Sequence, residues 1–392
     1  MKKNYLFVID RIENGGAERQ MLKVANYISS DINIFITSLH KPSNELLSLI
    51  EKYDFLYISI ATSDGSLFYK RMFGILSLIK SLKEILSCHQ IDKCISFLEW
   101  SNVLTIIATR KKGIPVCINV RNHLSTQYGS RSPLILKLAK IIIGKYYPLA
   151  DKVLCNSYGI KNDLVKAFKV PNNLVDVIQN TYPIEIIKKN IGAYEFRERN
   201  VDSNLFCACG RLSDQKRFES LVLSFQYYIK KSQRNDTLII IGSGTNENNI
   251  KQLIQAGDAD IKLYSHQENP FPIIAACDSF ILHSDFEGYP NVLAEALILG
   301  KDCISVDCLT GPREVLSGNT LTDYESAISE LKMLKYGLLY PYKKINEEVD
   351  YGLVGALIKY SNNKFIFNKI DYDFLCEKGG RKKWREILLT QL

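Results

Sequence analysis

Short β-branched runs alternate with helix-length stretches along most of this chain, and the alternation breaks once and then restarts. "YLFVID", "INIFIT", "FLYISI", "KCISF", "PVCINV", "KVLCNS" and "VDVIQN" read as strands, while residues 17–30, 69–87 and 159–169 read as helices. Strands separated by helices need crossover connections, which makes them parallel and buries both sheet faces. The pattern fades over "TYPIEIIKKNIGAYEFRERNVDSN", which is charged and carries no clear strand. It returns with "NLFCACG", "DTLIIIG", "DIKLY", "DSFILH" and "DCISV". A chain of 392 residues exceeds one ordinary core. The expected fold class is therefore α/β, with two Rossmann-like doubly wound domains facing a cleft. We place the first over 1–185, a linker over 186–200 and the second over 201–392, the last helix (about 376–392) being free to pack back on the first. Ligands belong in the cleft, at the carboxyl ends of the strands.

Composition removes several functions. No apolar run reaches the length needed to span a membrane. "MKKNYLFVIDRIENGG" has a short apolar run that meets acidic residues at once, which fits a first strand rather than a leader. Ten cysteines are scattered without paired spacing, several inside apolar strands, so reduced thiols in a cytosolic protein are expected. There is no CxxC or HxxxH pair, and "CAC" at 207–209 points its side chains to opposite sheet faces, which excludes a zinc site of ordinary spacing. Charge is uneven. Residues 1–185 hold 24 Lys+Arg against 15 Asp+Glu, a balance of +9; the remainder holds 26 against 27, a balance of −1. The basic half should face something anionic. No nucleic-acid-binding motif is present, so nucleic acid is not an expected partner.

The stretch "FEGYPNVLAEALILG", 286–300, carries the most chemistry. Pro290 suits a first helical position and Gly300 the residue past the helix end. Val292, Leu293, Ala296 and Leu297 form an apolar stripe that anchors the helix. Gly288 lets backbone approach a ligand, and the residues that follow, Tyr289, Pro290, Asn291 and Val292, mark a helix start whose free N–H groups, all but that of Pro290, which has none, suit an anion. Glu287 stands at the mouth of that site, and Glu295 lies about 7 Å deeper along the axis, at about 1.5 Å per residue. Carboxylates on either side of a phosphate site can accept from sugar hydroxyls and ribose hydroxyls, the layout of a nucleotide-sugar. The alternative is a solvated loop acid and an ordinary helix surface residue. The stretch resembles the E-x7-E motif of retaining GT-B glycosyltransferases of family 4, and "NPFPIIAACDSFILHSDFEGYPNVLAEALILGKDCISVDCLTGPREVL" resembles that family nearly throughout. The likeness is nearest to bacterial transferases of surface polysaccharide and lipid-linked glycan, including UDP-sugar-using N-acetylgalactosamine transferases. It implies that Glu287 contacts the donor sugar and Glu295 the ribose. Asp302 departs from the family, which often has proline there.

"GRLSDQKRFESL", 210–221, follows a strand. Gly210 ends that strand, and Arg211 and Lys216 straddle a turn where two cations can neutralise a departing diphosphate. It matches the family's G-R-L-x-x-x-K element, which implies catalytic roles for Arg211, Lys216 and Glu287. "ENGGAERQ", 13–20, carries Gly15 and Gly16 between the first strand and helix; it is not the dinucleotide fingerprint, and its diglycine lets backbone N–H groups approach a phosphate or a hydroxyl. "IGSGTNEN", 241–248, places Gly242 and Gly244 in a second strand-to-helix loop, one that can pass near the donor. The family has glycine segments at both places. "NVRNHLS", 119–125, offers Arg121 and His123 either as contacts to sugar or acceptor or as structural residues. Ser157 reads as a helix cap and Asn180 as structural.

Two D-x-D triplets, Asp258/Asp260 and Asp371/Asp373, stand away from strand ends where a metal–diphosphate site would form, and read as loop acids. No divalent metal or other cofactor is therefore expected. Two segments, 68–86 and 132–149, mix lysines with apolar residues and fit either a membrane interface or a core helix with a lysine edge. The resemblance implies a retaining transferase that moves a hexose or N-acetylhexosamine, leaning to N-acetylgalactosamine, from a UDP-sugar to a polyprenyl-diphosphate-linked glycan. It would work in the cytoplasm, peripherally on the inner membrane face, against anionic lipid. The rivals are a UDP-sugar 2-epimerase on the same fold and a non-catalytic membrane-bound scaffold subunit.

Overall fold

The computed structural model describes residues 2–390 apart from 11–15, 43, 61–67, 193–202, 309, 321–325, 345–347, 364–366 and 368–369. It divides into two compact units, Met1–Gln179 with Lys378–Leu392, and Asn180–Glu377. In chain order the first unit holds β1 (Asn4–Ile9), α1 (Gly16–Ile28), β2 (Asn33–Ser38), α2 (Asn44–Lys52), β3 (Leu56–Tyr57), α3 (Phe68–Cys88), β4 (Lys93–Phe97), α4 (Glu99–Thr109), β5 (Val116–Val120), α5 (Leu124–Gly129), α6 (Pro133–Tyr146), β6 (Lys152–Cys155), α7 (Tyr158–Lys166) and β7 (Val175–Val177). Its seven strands form one parallel sheet in the order β3-β2-β1-β4-β5-β6-β7. Central strands β4 and β5 are buried at every position, because helices cover both faces. At the edge, "FLYISI" keeps only two strand residues, Leu56 and Tyr57, where one side of the backbone has no partner strand. Ser157 caps α7, accepting from the Ile160 amide at 3.2 Å.

The second unit holds α8 (Ile184–Lys189), β8 (Leu205–Cys209), α9 (Phe218–Ser232), β9 (Thr237–Ile241), α10 (Glu247–Gln255), β10 (Ile261–Tyr264), α11 (Phe271–Ala276), β11 (Ser279–Leu282), α12 (Asn291–Ile298), β12 (Asp302–Asp307), α13 (Pro312–Ser317), β13 (Lys332–Leu334), β14 (Gly337–Pro341) and α14 (Tyr351–Asn362). The sheet order is β10-β9-β8-β11-β12-β14-β13, parallel except for β13. The sequence reading lacks α8 and the β13–β14 hairpin. A short helix in a charged stretch has no periodicity long enough to show, and β13 is largely exposed.

The last helix, α15 (Glu377–Leu389), contributes its Trp384 and Leu388 to the first unit's core beside Tyr5, Phe7 and Ile34. The buried Lys93 ammonium donates to the Leu388 carbonyl at 2.8 Å, and Arg385 pairs with Asp31 at 2.8 Å. The division falls at Gln179/Asn180, so residues 180–185 belong to the second unit rather than the first. There Tyr182 pairs in parallel with Cys376, its amide donating to the Leu375 carbonyl at 2.7 Å, so both ends of the second unit run side by side.

Candidate active site

In the second unit the chain builds β9 and β10 on one side of β8, and β12 and β14 on the far side of β11. The order therefore reverses between β8 and β11, and a crevice opens outside their carboxyl ends. The turn 210–217 follows β8 and the loop 283–290 follows β11. Backbone and side chain bind these segments together. The Asp285 amide donates to the Gln215 carbonyl at 2.8 Å, and Gln215 Nε2 donates to the Phe286 carbonyl at 2.8 Å. Lys216 Nζ then donates to Glu287 Oε1 at 2.5 Å, both side chains being largely buried. Thr310, in the loop after β12, donates its hydroxyl to the Glu287 carbonyl oxygen.

Helix α12 starts from this loop. Pro290 is its cap in extended conformation (φ −72°, ψ 104°), so the first helical residue is Asn291 and not Pro290. The ring fixes φ, but the extended ψ turns the chain into the helix rather than continuing it. Gly300 adopts the left-handed conformation (φ 73°) just past the end, and the Gly300 and Lys301 amides donate to the Leu297 and Ala296 carbonyls at 2.9 and 3.0 Å. These two bonds close the helix in a Schellman arrangement. Glu295 lies near Cys209 at the end of β8; burial first, and then the Glu295 charge, push that thiol up to about 12.

The glycine loops have a steric reason. A Cβ on Gly242 would stand 1.9 Å from the Gly210 carbonyl oxygen, and one on Gly244 would stand 2.2 Å from that of Leu212. The two loops are laced by the Gly210 amide to Ile241, Leu212 to Ser243 and Asn246 to Leu212, each at 3.0–3.1 Å. Gly311 (φ 81°) likewise leaves room for Pro290, whose Cδ would lie 2.5 Å from a Cβ there.

The start of α12 is also held from the chain's entry into this unit. The Asn291 side-chain oxygen accepts from Asn180 Nδ2 at 2.7 Å and from the Tyr182 hydroxyl at 2.8 Å. Carboxylates, cations and helix-start N–H groups thus converge at one crevice, an arrangement that fits a diphosphate bonded to a sugar.

Comparison with known proteins agrees with this geometry. Residues 14–185 match the family model described as "Glycosyltransferase Family 4", and residues 203–331 match "Glycosyl transferases group 1". The chain is a glycosyltransferase. Among its relatives, an uncharacterized glycosyltransferase, MJ1059, of Methanocaldococcus jannaschii is 29% identical over 79% of this chain and 72% of that protein. A Campylobacter jejuni GalNAc-alpha-(1->4)-GalNAc-alpha-(1->3)-diNAcBac-PP-undecaprenol alpha-1,4-N-acetyl-D-galactosaminyltransferase is 25% identical over 80% and 82%. Among solved structures, Anabaena Alr3699/HepE in complex with UDP-glucose superposes with a TM-score of 0.72 at 16% identity, covering 99% of this chain and 100% of that one. The fold is GT-B.

Within this transferase the expected site residues fall into separate groups. Lys216, Glu287, Gly288, Pro290, Asn291 and Glu295 meet at the β8–β11 crevice, with Gly210, Gly242 and Gly244 packed beside it. Arg211 is exposed, and its guanidinium makes no ion pair with a described residue. Tyr289 is a core residue whose hydroxyl donates to Asn319 at 3.4 Å, and Val292 packs on the same core, so only their backbones face the helix start. Arg121 and His123 belong to the first unit, at the carboxyl end of β5. His123 caps α5: its Nδ1 accepts from the Thr126 amide at 3.3 Å, and its Nε2 lies 3.7 Å from Asp163. Burial lowers its pKa, which Asp163 partly opposes. Gly16 opens α1 and is exposed; Gly15 lies outside the described residues. Asp258 and Asp260 precede β10, at the sheet edge opposite α12, and Asp260 accepts from the Thr237 hydroxyl at 2.6 Å. Asp371 accepts from the Asp373 amide at 3.1 Å.

Sequence reasoning passed over Arg217. It is buried at positive φ (51°), between Asp285 at 3.4 Å and Asp350 at 3.3 Å, and so ties the base of the Glu287 loop to the cap of α14. Nothing in a basic turn separates it from its neighbours; only the two distant aspartates mark it. Nearby His283 is held neutral, well below its ordinary pKa, by burial and then by the Arg217 charge. It bridges the Tyr340 hydroxyl at 2.5 Å and Ser220 at 3.1 Å.

The Asn291 clasp is testable. Asn291→Ala removes the two hydrogen bonds that its side-chain oxygen accepts from Asn180 and Tyr182, at a cost of about 1–3 kcal/mol for the pair in chemical denaturation. Donor KM should rise more than kcat falls, because the helix start is displaced rather than its charge removed. An unchanged KM with unchanged stability would refute this role.

Proposed function

We propose that this transferase moves a sugar from a UDP-sugar to a hydroxyl of a polyprenyl-diphosphate-linked glycan, with retention at the anomeric carbon. The observation that carries the proposal is the meeting of Lys216, Glu287 and the α12 N-terminus at the switch point of the second sheet. UDP suits this site: the diphosphate takes the helix-start N–H groups with Arg211 and Lys216, and Glu295 serves the ribose. Glu287 accepts from donor-sugar hydroxyls. The bond from the anomeric carbon to the diphosphate oxygen breaks, and its electron pair leaves with UDP. The acceptor oxygen bonds to that carbon on the same face, and its proton passes to the departing phosphate. Stabilising the leaving diphosphate is the main electrostatic task, and groups already oriented perform it with little reorganisation.

The lipid-linked acceptor and the preference for N-acetylgalactosamine are supported by the Campylobacter relative, whose name specifies both. A place on the inner membrane face follows from that acceptor; no helix among the described residues is long and apolar enough to cross a membrane. We also propose that turnover needs no divalent metal, because Arg211, Lys216 and the helix-start N–H groups supply positive charge of the kind a metal would bring to the diphosphate.

A screen of UDP-sugars with a polyprenyl-diphosphate glycan acceptor tests the reading, using protein stripped with EDTA and assayed in chelator. Transfer to the acceptor hydroxyl with an α-linked product, within a few-fold of the magnesium-supplemented rate, is expected. Epimerised UDP-sugar without transfer would point to the epimerase, and complete loss in chelator, restored by magnesium or manganese, would overturn metal independence.

A further inference from the structure

Helix α6 is apolar on two faces, and only one of them is buried. Ala139 and Ile143 enter the first unit's core, with Leu136, Ile142 and Tyr146 packed against it. The outer face carries Leu134, Leu138 and Ile141, which are 74%, 56% and 60% exposed. Their i, i+4, i+7 spacing makes one stripe along the helix. Ile135, at 42%, widens it. A solvated helix normally places polar residues there, so a partner must cover the stripe.

Charge names the partner. Lys137, Lys140 and Lys145 are all exposed on the same helix, and Arg131 precedes it. From Trp100 to Ala150 the chain contains eight basic residues and no acidic one. A second copy meeting this face by two-fold symmetry would set lysine against lysine. An anionic bilayer instead offers headgroup charge to the lysines and acyl depth to the stripe.

Topology gives the face a purpose. Helices α5 and α6 connect the parallel strands β5 and β6, so the connection leaves from the carboxyl edge of the sheet, where Arg121 and His123 stand, and returns to the amino edge. Leu134 lies in the first turn of α6. A membrane lying along α6 would present a lipid-linked glycan on the side of the first unit that carries those residues. We propose that the Leu134–Leu138–Ile141 face of α6, framed by Lys137, Lys140 and Lys145, docks this transferase on anionic lipid. This assigns the membrane contact to α6; of the other basic-apolar segment, α3, side chains 68–73 lie outside the described residues. The purpose rests on the lipid-linked-acceptor reading, but the contact itself is measured without either substrate.

The experiment is vesicle flotation of the full chain with phosphatidylcholine vesicles and with phosphatidylcholine–phosphatidylglycerol vesicles. Wild type should bind the anionic vesicles at low salt and release from them as salt rises, since exposed charges are screened over about 10 Å at 0.1 M. Leu134→Ser/Leu138→Ser/Ile141→Ser should lower partitioning about tenfold or more. Lys137→Gln/Lys140→Gln/Lys145→Gln should remove the preference for anionic lipid without touching an apolar side chain. Both variants alter exposed positions and should keep wild-type circular dichroism and UDP-sugar hydrolysis. Wild type that fails to float with anionic vesicles at low salt overturns the proposal, as do triple variants that bind like wild type. A concentration-dependent dimer abolished by the serine substitutions would give the face to a second copy and overturn it too. If docking holds and no UDP-sugar is turned over, the functional reading fails while this inference stands.

Discussion

Arg211→Ala and Lys216→Ala should each lower turnover about 100- to 1000-fold, the loss expected if each charge stabilises the leaving diphosphate. The two variants separate on stability. Arg211 is exposed and has no ion-pair partner among the described residues, so its loss leaves the melting transition in place. Lys216 is the partner of buried Glu287 at 2.5 Å, and its loss strands that carboxylate, at a cost of about 1–3 kcal/mol. Lys216→Ala/Glu287→Gln should recover most of that stability and none of the rate. Steady-state kinetics and urea unfolding of the three proteins decide the matter; near wild-type turnover in Arg211→Ala/Lys216→Ala would remove both residues from the mechanism.

A larger structural effect is expected beneath the site. Arg313 pairs with Asp307 through Nε at 2.5 Å and Nη2 at 2.6 Å, with both side chains buried. Arg313 lies in the helix that Gly311 opens, and Gly311 packs under Pro290. Arg313→Leu leaves an unpaired buried carboxylate and should cost about 3–5 kcal/mol. Asp307→Leu/Arg313→Leu removes both charges and should be much nearer wild type, since a buried pair mostly repays its own desolvation. Because the floor under the α12 start loosens, donor KM should rise in Arg313→Leu. Unfolding that shows the single variant within 1 kcal/mol of wild type would contradict the argument.

The two α/β halves and most strands were legible because a strand buried on both faces is apolar over most of its length: "LFCAC" is apolar throughout, and "TLIII" and "KCISF" break the run only at Thr237, Lys93 and Ser96. The Pro290–Gly300 helix was legible to within one residue, since proline and glycine restrict φ locally. Local rules do not reach pairs distant in sequence. The Gly-x-Gly at 242–244 was read as a loop that can pass near the donor, and the structure adds a reason that no local rule contains: the atoms that exclude a side chain there belong to Gly210 and Leu212. Asn180 was read as structural, and the structure shows what it holds: the Asn291 oxygen, 111 positions away.

The sequence by itself determined the kind of molecule this is: residue types at fixed short spacings specify strands, helix ends and the chemistry of E-x7-E. Only the tertiary structure decided which cation meets which carboxylate, that Arg217 rather than Arg211 is locked between aspartates, and that the outer stripe of α6 stays uncovered. Those outcomes depend on the order in which parallel strands assemble, and that order brings together residues whose separation along the chain carries no signal of contact.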